Sequence, residues 1–276
     1  MKNFWNYEFQ DNPDTVAVFD ELPLWSASFG LLLLRYIELK HNLTVLDLGS
    51  GTGFPLIELA ERLGDSCRCY GLDIWKNAND RAEMKLKNYG IKNTEVVEGS
   101  AENIPFESGS TDLITSNLGI NNFENPDKAF AECYRVLSQG GKLVLTTNLN
   151  GHWKEFYMIF EKTLHKLNRH DIAEKLTSQQ EHRGTVKSVM ELFTKSGFII
   201  SRIIEDKFEM RFLTGSAFLN HHFIKLGWLS SWLSIIPENE RSVIFSRLEE
   251  DLNDFSDKNG GFELSVPMVF MEGIKI

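Results

Sequence analysis

The chain contains few cysteines, and this scarcity limits how it can be stabilised. Only three of its 276 residues are Cys, so the sequence predicts no disulfide framework and a reducing, cytoplasmic location. Cys67 and Cys69 share one face of a predicted strand, but no further Cys or His pair completes a set of four metal ligands. We therefore expect these thiols to pack in the core, and we expect no metal.

Basic residues are also scarce relative to acidic ones. The 29 Lys and Arg residues face 39 Asp and Glu residues, which gives a formal net charge of -10. Proteins whose main partner is the phosphate backbone usually present a basic surface. This composition therefore argues against nucleic acid as the main partner.

Signals for export or membrane insertion are missing as well. The N-terminal stretch MKNFWNYEFQDNPD has no basic region followed by an apolar run, so no secretory signal is predicted. The most apolar window, residues 218–236, contains His221, His222 and Lys225, which are costly at the centre of a bilayer. We expect one large α/β core without a membrane span.

The pattern that is present alternates strand-like and helix-like segments from Leu43 onward. This alternation predicts a Rossmann-like α/β fold, with a seven-stranded, mostly parallel sheet and helices on both faces. The predicted strands are residues 43–48, 67–73, 94–98, 112–117, 142–147, 198–208 and 264–274. The predicted helices are residues 55–63, 81–89, 126–137, 153–167 and 185–195.

The last two predicted strands are separated by far more residues than a hairpin needs. Residues 210–261 show helical periodicity, and we interpret them as a helical cap inserted into the core. The core then comprises residues 43–209 and a last strand within 262–276, and residues 1–42 form an N-terminal helical lid. The simpler alternative is that the insertion only stabilises the fold.

The stretch VLDLGSGTGFP, Val45–Pro55, places three glycines directly after a buried strand. In a parallel sheet this turn lies at the carboxyl edge, where ligands bind. Glycines let the backbone approach a ligand and supply N–H groups to it. The spacing is GxGxG, which differs from the GxGxxG of dinucleotide-binding proteins, and no P-loop lysine follows. Asp73 follows Gly53 by 20 residues, at the end of the second strand, and suits the hydroxyls of a ribose.

Five segments occur in a characteristic order. They are VLDLGSGTG (45–53), GLDIW (71–75), EGSAENIPF (98–106), TDLITSNLGINNF (111–123) and AFAECYRVLSQGGKLVL (129–145). Together they resemble the class I S-adenosylmethionine-dependent methyltransferases, in particular the small-molecule branch that includes the ubiquinone and menaquinone methyltransferases. The resemblance implies S-adenosylmethionine as cofactor, S-adenosylhomocysteine as product and a small methyl acceptor.

The resemblance also implies a set of cofactor-binding residues. They are Asp47, Gly49, Ser50, Gly51, Asp73, Ile74, Ser100, Ala101, Glu102, Asn117 and Leu118. Asp47 would hold the amino group of the methionine part, Asp73 the ribose, and Ile74 the face of the adenine. Residues 100–102 would border the adenine edge, and residues 117–118 would pass under the sulfonium.

The range of possible methyl acceptors is narrowed mainly by motifs that the chain lacks. After the fourth strand the chain reads SNLG, without the two prolines and the aromatic residue of amino-methylating DNA enzymes, and no Cys follows a Pro as in cytosine methylation. Aromatic residues in the cap and near the N-terminus fit a partly apolar acceptor. They are Phe212, Phe218, Phe223, Trp228 and Trp232, and Trp5, Tyr7, Phe9, Trp25 and Phe29.

In-line methyl transfer needs alignment, and it needs a base only if the acceptor must lose a proton. His152, His221 and His222 are candidate bases, but we assign no catalytic residue.

Two other interpretations of the function stay open. One is a noncatalytic module that binds S-adenosylmethionine, and the other is an RNA methyltransferase, because the GxGFP ending resembles the small-subunit ribosomal RNA guanine methyltransferases. We expect the lid and cap to close over the methyl end of the cofactor.

Overall fold

A computed structural model describes residues 3–18, 23–181 and 184–276 of the protein. Its contacts divide the chain into two compact units. The larger unit comprises Asp11–Asn148, Thr185–Asp206 and Met268–Ile276. The smaller unit comprises Met1–Gln10, Leu149–Gly184 and Lys207–Pro267.

The chain forms a seven-stranded sheet with the strand order β3-β2-β1-β4-β5-β7-β6, and strands β1 to β5 lie wholly within the larger unit. The strands are β1 Thr44–Leu48, β2 Arg68–Asp73, β3 Thr94–Glu98, β4 Thr111–Asn117, β5 Leu137–Asn148, β6 Ile199–Phe212 and β7 Phe262–Ile274. Strands β1 to β5 pair in parallel, and β7 runs antiparallel to β5. This arrangement confirms the predicted Rossmann-like fold with a mostly parallel sheet.

The chain contains twelve α-helices among the residues that the structure describes. They are α1 Pro13–Val18, α2 Pro23–Tyr36, α3 Leu56–Leu63, α4 Lys76–Tyr89, α5 Pro126–Val136, α6 Lys154–Lys166, α7 His170–Glu181, α8 Val186–Lys195, α9 Gly215–Asn220, α10 His222–Gly227, α11 Leu229–Ile235 and α12 Arg241–Asn259. Short 3-10 helices cover Phe4–Asn6, Gly119–Asn122 and Glu238–Glu240.

The start of α5 shows how local sequence fixes an element. The Asn125 side chain accepts a hydrogen bond from the Lys128 amide, and Pro126 occupies the first turn, where no amide hydrogen is needed. The helix buries one stripe, which contains Phe130 and Val136, against the sheet unit. Helix α5 therefore has a defined start after the loop that follows β4, and it runs directly into β5.

Some predicted boundaries were wrong. Helix α4 begins at Lys76 rather than at residue 81, because an ion pair between Lys76 and Asp80 and a hydrogen bond from the Asn79 side chain to the Asp73 carbonyl stabilise its first turn. Strand β6 continues to Phe212, and α7 was not predicted at all. Among residues 3–18, 23–181 and 184–276, every helix is too short or too polar to cross a lipid bilayer.

The smaller unit has a core rich in aromatic rings. Trp153, Phe156, Phe218 and Trp232 are fully buried there, and the Phe156 and Trp232 rings lie 4.8 Å apart. Phe223 and Trp228 are also buried, with ring centroids 4.6 Å apart. The aromatic residues predicted for the cap therefore pack largely against each other.

The two units divide the chain differently from the boundaries that the sequence suggested. Residues 149–184 group with the helical insertion, and the described parts of residues 11–42 group with the sheet. Within the smaller unit, the Trp5 ring stacks on Phe245 at 5.8 Å. The function of the lid and the cap stays a prediction.

Candidate functional site

The glycine turn joins β1 to α3 at the carboxyl edge of the sheet. Gly49, Gly51 and Gly53 all have positive φ angles, of 71°, 51° and 101°. Their amides donate to the Leu72 carbonyl, to Asp73 Oδ2 and to the Ser50 carbonyl, at 2.9, 2.8 and 2.8 Å. Each of these amides already donates within the protein, and the expectation that they supply hydrogen bonds to a ligand stays a prediction.

Space remains open above the middle of this turn. A Cβ atom built on Gly51 would meet no atom within 4 Å, so the glycine is not required by close packing. Its left-handed φ angle, which glycine adopts without strain, explains the residue type. The turn therefore offers an open backbone surface beside the end of β1.

Asp73 connects the glycine turn to the end of β2. Its Oδ2 atom accepts from the Gly51 amide and its Oδ1 atom from the Trp75 amide, both at 2.8 Å. A carboxylate has about four lone-pair sites, so two remain for other donors. Asp73 thus fixes the turn and keeps capacity for a ligand with hydroxyl groups.

Asp47 is a buried carboxylate in β1. It is 1% exposed, and its Oδ1 atom accepts a 2.6 Å hydrogen bond from Thr115 Oγ1 on β4. Its Oδ2 atom is buried and has no hydrogen-bond partner. Burial raises the pKa of Asp47 to about 7, the bond from Thr115 opposes this shift, and the charge of Asp73 adds to it. A buried carboxylate oxygen with no partner is costly, and a cationic donor would relieve that cost.

Ile74 follows Asp73, and its apolar side chain is 72% exposed. The next residues are held in place: Asp11 accepts from Trp75 Nε1 at 2.7 Å and from Asn77 Nδ2 at 2.9 Å. These bonds, first that from Asn77, lower the pKa of Asp11. The result is an apolar surface at the end of β2 on a well-fixed backbone.

Residues 100–102 form a turn after β3. Ser100 Oγ accepts from the Glu102 amide at 3.1 Å, and Ala101 is buried. Glu102 Oε1 accepts from the Asn125 amide at 2.8 Å, so this carboxylate helps to hold the start of α5. The Ser50 side chain is buried beside Gly71 of β2. Contact between Ser50 and a ligand would involve its backbone.

Strand β4 ends in a tight turn beside the glycine turn. Leu118 has a φ of 67°, and its amide donates to the Thr146 carbonyl at 2.8 Å. A Cβ atom on Gly119 would lie 2.7 Å from the Leu48 carbonyl oxygen, and one on Gly49 would lie 3.1 Å from the Gly119 Cα. The two turns therefore touch through their backbones, and Gly119 is a residue that the sequence analysis did not single out.

Helix α2 is bound to the same edge. Asn117 Nδ2 donates to the Ser26 carbonyl at 3.1 Å, and Asn117 Oδ1 accepts from Thr146 at 2.8 Å. The Trp25 and Phe29 rings lie 5.2 Å apart, and both side chains are buried. The two rings therefore pack on each other, whereas a lid movement stays a prediction.

The three candidate histidines all belong to the smaller unit. His152 is 3% exposed, and its ring makes an edge contact with Tyr157 at 5.7 Å. Burial lowers the pKa of both His221 and His222, and the neighbouring charge of Lys225 lowers each further. Their roles as bases stay predictions, and the predicted cofactor residues lie in the larger unit.

Comparison with known proteins defines the family. A family model for the methyltransferase domain matches residues 46–145. The demethylmenaquinone methyltransferase of Lactococcus lactis is 30% identical over 198 residues, which cover 68% of this chain and 77% of that protein. The chain belongs to the class I S-adenosylmethionine-dependent methyltransferases. It lies in the branch that resembles the ubiquinone and menaquinone enzymes, and its cofactor is S-adenosylmethionine.

Solved structures with low sequence identity share the fold. The YcgJ protein of Bacillus subtilis superposes with a TM-score of 0.58 at 20% identity, covering 90% of this chain and 98% of that one. Geranyl diphosphate C-methyltransferase of Streptomyces coelicolor, solved with S-adenosylhomocysteine, gives a TM-score of 0.56 at 14% identity, with coverages of 98% and 86%. At these identities the likeness establishes the fold.

Proposed function

We propose that the carboxyl edge of the larger unit holds S-adenosylmethionine through the residues described above, and that the acceptor is a small, partly apolar molecule. The observation that carries the proposal is Asp47, whose buried Oδ2 atom lacks a partner beside an open glycine turn. The amino group of the methionine part is a cationic donor that suits this oxygen. Asp47 would then be ionised in the complex.

The remaining contacts follow from the same geometry. The free lone pairs of Asp73 suit the two ribose hydroxyls. Ile74, exposed beside Asp73, offers an apolar surface for the adenine ring, and residues 100–102 border the other side of that ring. The assignments of Asp73 and Ile74 use bonding capacity and exposed surface that the fold leaves available.

Bound S-adenosylmethionine supplies a methyl group on a positively charged sulfur, which an electron-rich atom can attack. The contribution of this chain is alignment and exclusion of water. The tight packing of Gly119 on Leu48 and Gly49 fixes the end of β4, and Asn117 fixes α2 beside it. These contacts favour a rigid floor under the reacting atoms.

The acceptor class rests on the relatives and on composition. The Lactococcus lactis relative is named for demethylmenaquinone, and the Streptomyces coelicolor protein was solved with geranyl diphosphate. Both names describe molecules with long apolar portions. The acidic net charge of -10 also favours a small organic acceptor over RNA.

Titration calorimetry with S-adenosylhomocysteine tests the cofactor site. We expect the parent chain to bind, and Asp73→Ala to weaken binding by about 100-fold, because charged hydrogen bonds are lost. Asp80→Ala is the matched control, since Asp80 forms an exposed ion pair with Lys76 on α4. If Asp73→Ala and Asp80→Ala bound equally well, the assignment of Asp73 would be wrong.

Incubation with radiolabelled S-adenosylmethionine and a panel of acceptors tests the acceptor class. The panel contains reduced naphthoquinols with and without prenyl tails, prenyl diphosphates and RNA. We expect label in a prenylated or aromatic small molecule. Cofactor binding without transfer to any acceptor would favour the noncatalytic module, and label in RNA would favour the RNA enzyme.

A further inference from the structure

An ion pair on α5, formed by Glu132 and Arg135, bonds to the backbone of the loop between β3 and β4. Glu132 Oε2 accepts from the Ile104 amide at 2.9 Å. Arg135 donates to the Ile104 carbonyl through Nη2 and to the Phe106 carbonyl through Nη1, both at 2.8 Å. Both backbone groups of Ile104 are thus bonded to the same pair of side chains.

The two side chains also hold each other rigidly. Arg135 Nε donates to Glu132 Oε1 and Arg135 Nη2 to Glu132 Oε2, both at 2.7 Å. The hydrogen bonds from Arg135, followed by that from the Ile104 amide, outweigh burial and lower the pKa of Glu132. A planar guanidinium is required for this arrangement, because a lysine amine cannot bond a carboxylate side-on and two carbonyl groups together.

The same helix holds the other end of the loop. Glu102 Oε1 accepts from the Asn125 amide, directly before α5. Residues 102–106 are therefore fixed at both ends to α5, and the turn at residues 100–102 has little freedom. An ordinary helical ion pair does not do this: Arg62 and Glu58 on α3 are each more than 40% exposed, at 42% and 43%, and bond to each other.

We propose that Glu132 and Arg135 are positioning residues that set the place of the adenine-edge turn, residues 100–102. This inference rests on the proposed cofactor site. The pair contacts no residue assigned to the cofactor and acts through the backbone of residues 104 and 106. Its effect should therefore appear in cofactor affinity and in the mobility of this loop.

Hydrogen exchange and calorimetry on the full chain test the proposal with the variants Arg135→Lys and Glu132→Gln and the control Arg62→Lys. We expect faster exchange in residues 99–106 of Arg135→Lys, and about tenfold weaker binding of S-adenosylhomocysteine, since the ligand must then order part of the loop. Glu132→Gln keeps an oxygen that can accept from the Ile104 amide, so it should lose less affinity for S-adenosylhomocysteine than Arg135→Lys. Arg62→Lys should match the parent within about twofold.

Double variants separate positioning from general loosening. If Arg135 acts through the turn, Ser100→Ala should cost clearly less affinity in the Arg135→Lys background than in the parent, whereas the cost of Asp47→Asn should be unchanged. Equal behaviour of Arg135→Lys and Arg62→Lys, or full additivity with Ser100→Ala, would overturn the positioning role alone. Absence of binding by the parent would overturn the cofactor site and the positioning role with it.

Discussion

Two buried carboxylates of the same sheet each have one buried oxygen without a hydrogen-bond partner, but their other contacts differ. Asp47 on β1 and Glu272 on β7 are 1% and 2% exposed, and the pairing Asp47–Thr115, Thr115–Val144 and Val144–Glu272 places them in one row across the sheet. Glu272 accepts from Lys142 Nζ at 3.2 Å and from Ser201 Oγ at 2.6 Å. Asp47 accepts from the Thr115 hydroxyl.

The difference lies in the counter-charge. Lys142 neutralises Glu272 and also bonds Glu38 at 3.0 Å, so this charge is balanced inside the fold. Burial opposes the charge on Lys142, but its bonds to Glu38 and Glu272 dominate and raise its pKa. Asp47 receives a neutral donor, and its pKa is raised instead. The charge of a buried carboxylate paired with its own lysine is balanced within the structure, whereas a carboxylate without a cation suits a charged ligand.

The largest expected effect is a loss of stability when the buried carboxylate of Glu272 loses its counter-charge. Lys142→Met should lower the free energy of unfolding by about 3 kcal/mol, because it leaves Glu272 buried without a counter-charge. Chemical denaturation measures this loss. S-adenosylhomocysteine affinity in the folded protein should be unchanged.

A second variant checks the cause of that loss. Lys142→Met combined with Glu272→Gln removes the buried charge itself and should recover most of the stability. If the double variant were as unstable as Lys142→Met alone, the loss would come from packing and the comparison with Asp47 would fail.

The second expected effect is a gain in stability, which we expect when Asp47 is replaced. Between about pH 4 and 7, folded Asp47 keeps a proton that the unfolded chain releases, so the free energy of unfolding should fall as the pH rises through this range. Asp47→Asn removes this cost and should stabilise the free protein by about 2 kcal/mol at pH 8, and by much less at pH 4. Denaturation curves at both pH values measure the difference.

The same substitution should weaken cofactor binding. The parent should bind S-adenosylhomocysteine more weakly below pH 7, because Asp47 must lose its proton to pair with the amino group, and Asp47→Asn should remove most of this pH dependence. A variant that is less stable at pH 8 but binds normally would contradict both parts of the interpretation.

The smallest effect concerns Ile74. Because this side chain is 72% exposed, Ile74→Ala should change stability by less than about 0.5 kcal/mol. It should nevertheless weaken S-adenosylhomocysteine about fivefold, through lost contact with the adenine. Met84→Ala, at 41% exposure on α4, is the control and should bind normally. Equal binding by both variants would remove Ile74 from the site.

The positions of most strands along the chain and the position of the glycine turn could be predicted because they depend on local signals. Apolar runs, the glycines at 49, 51 and 53, and Asp73 at the end of β2 each leave a pattern in neighbouring residues. The start of α4 left no such pattern in the sequence, because residues 76–80 include two Asn and one Asp, which are weak helix formers. Its first turn depends on bonds to side chains that the periodicity does not show.

Only the structure shows which polar groups of the site are already hydrogen-bonded within the protein. Thr115 and Asp47 are 68 residues apart in the chain, and nothing in either segment indicates that they pair. The bonds from the glycine amides to Leu72 and Asp73 likewise depend on the register of β1 and β2. Long-range pairing therefore decided which polar groups remained available, and residue types alone did not.

The alternation of the chain between its two units has a consequence for synthesis on the ribosome. Residues 268–274 of β7 pair with β5, from Asn148–Met268 to Lys142–Ile274, after the smaller unit has received its third segment, Lys207–Pro267. The antiparallel partner of β5 therefore emerges more than a hundred residues after β5 itself. Until then β5 has an open side, and a nascent chain must keep this edge from pairing with another molecule. Stalling of translation before Met268 should accordingly yield an aggregation-prone product.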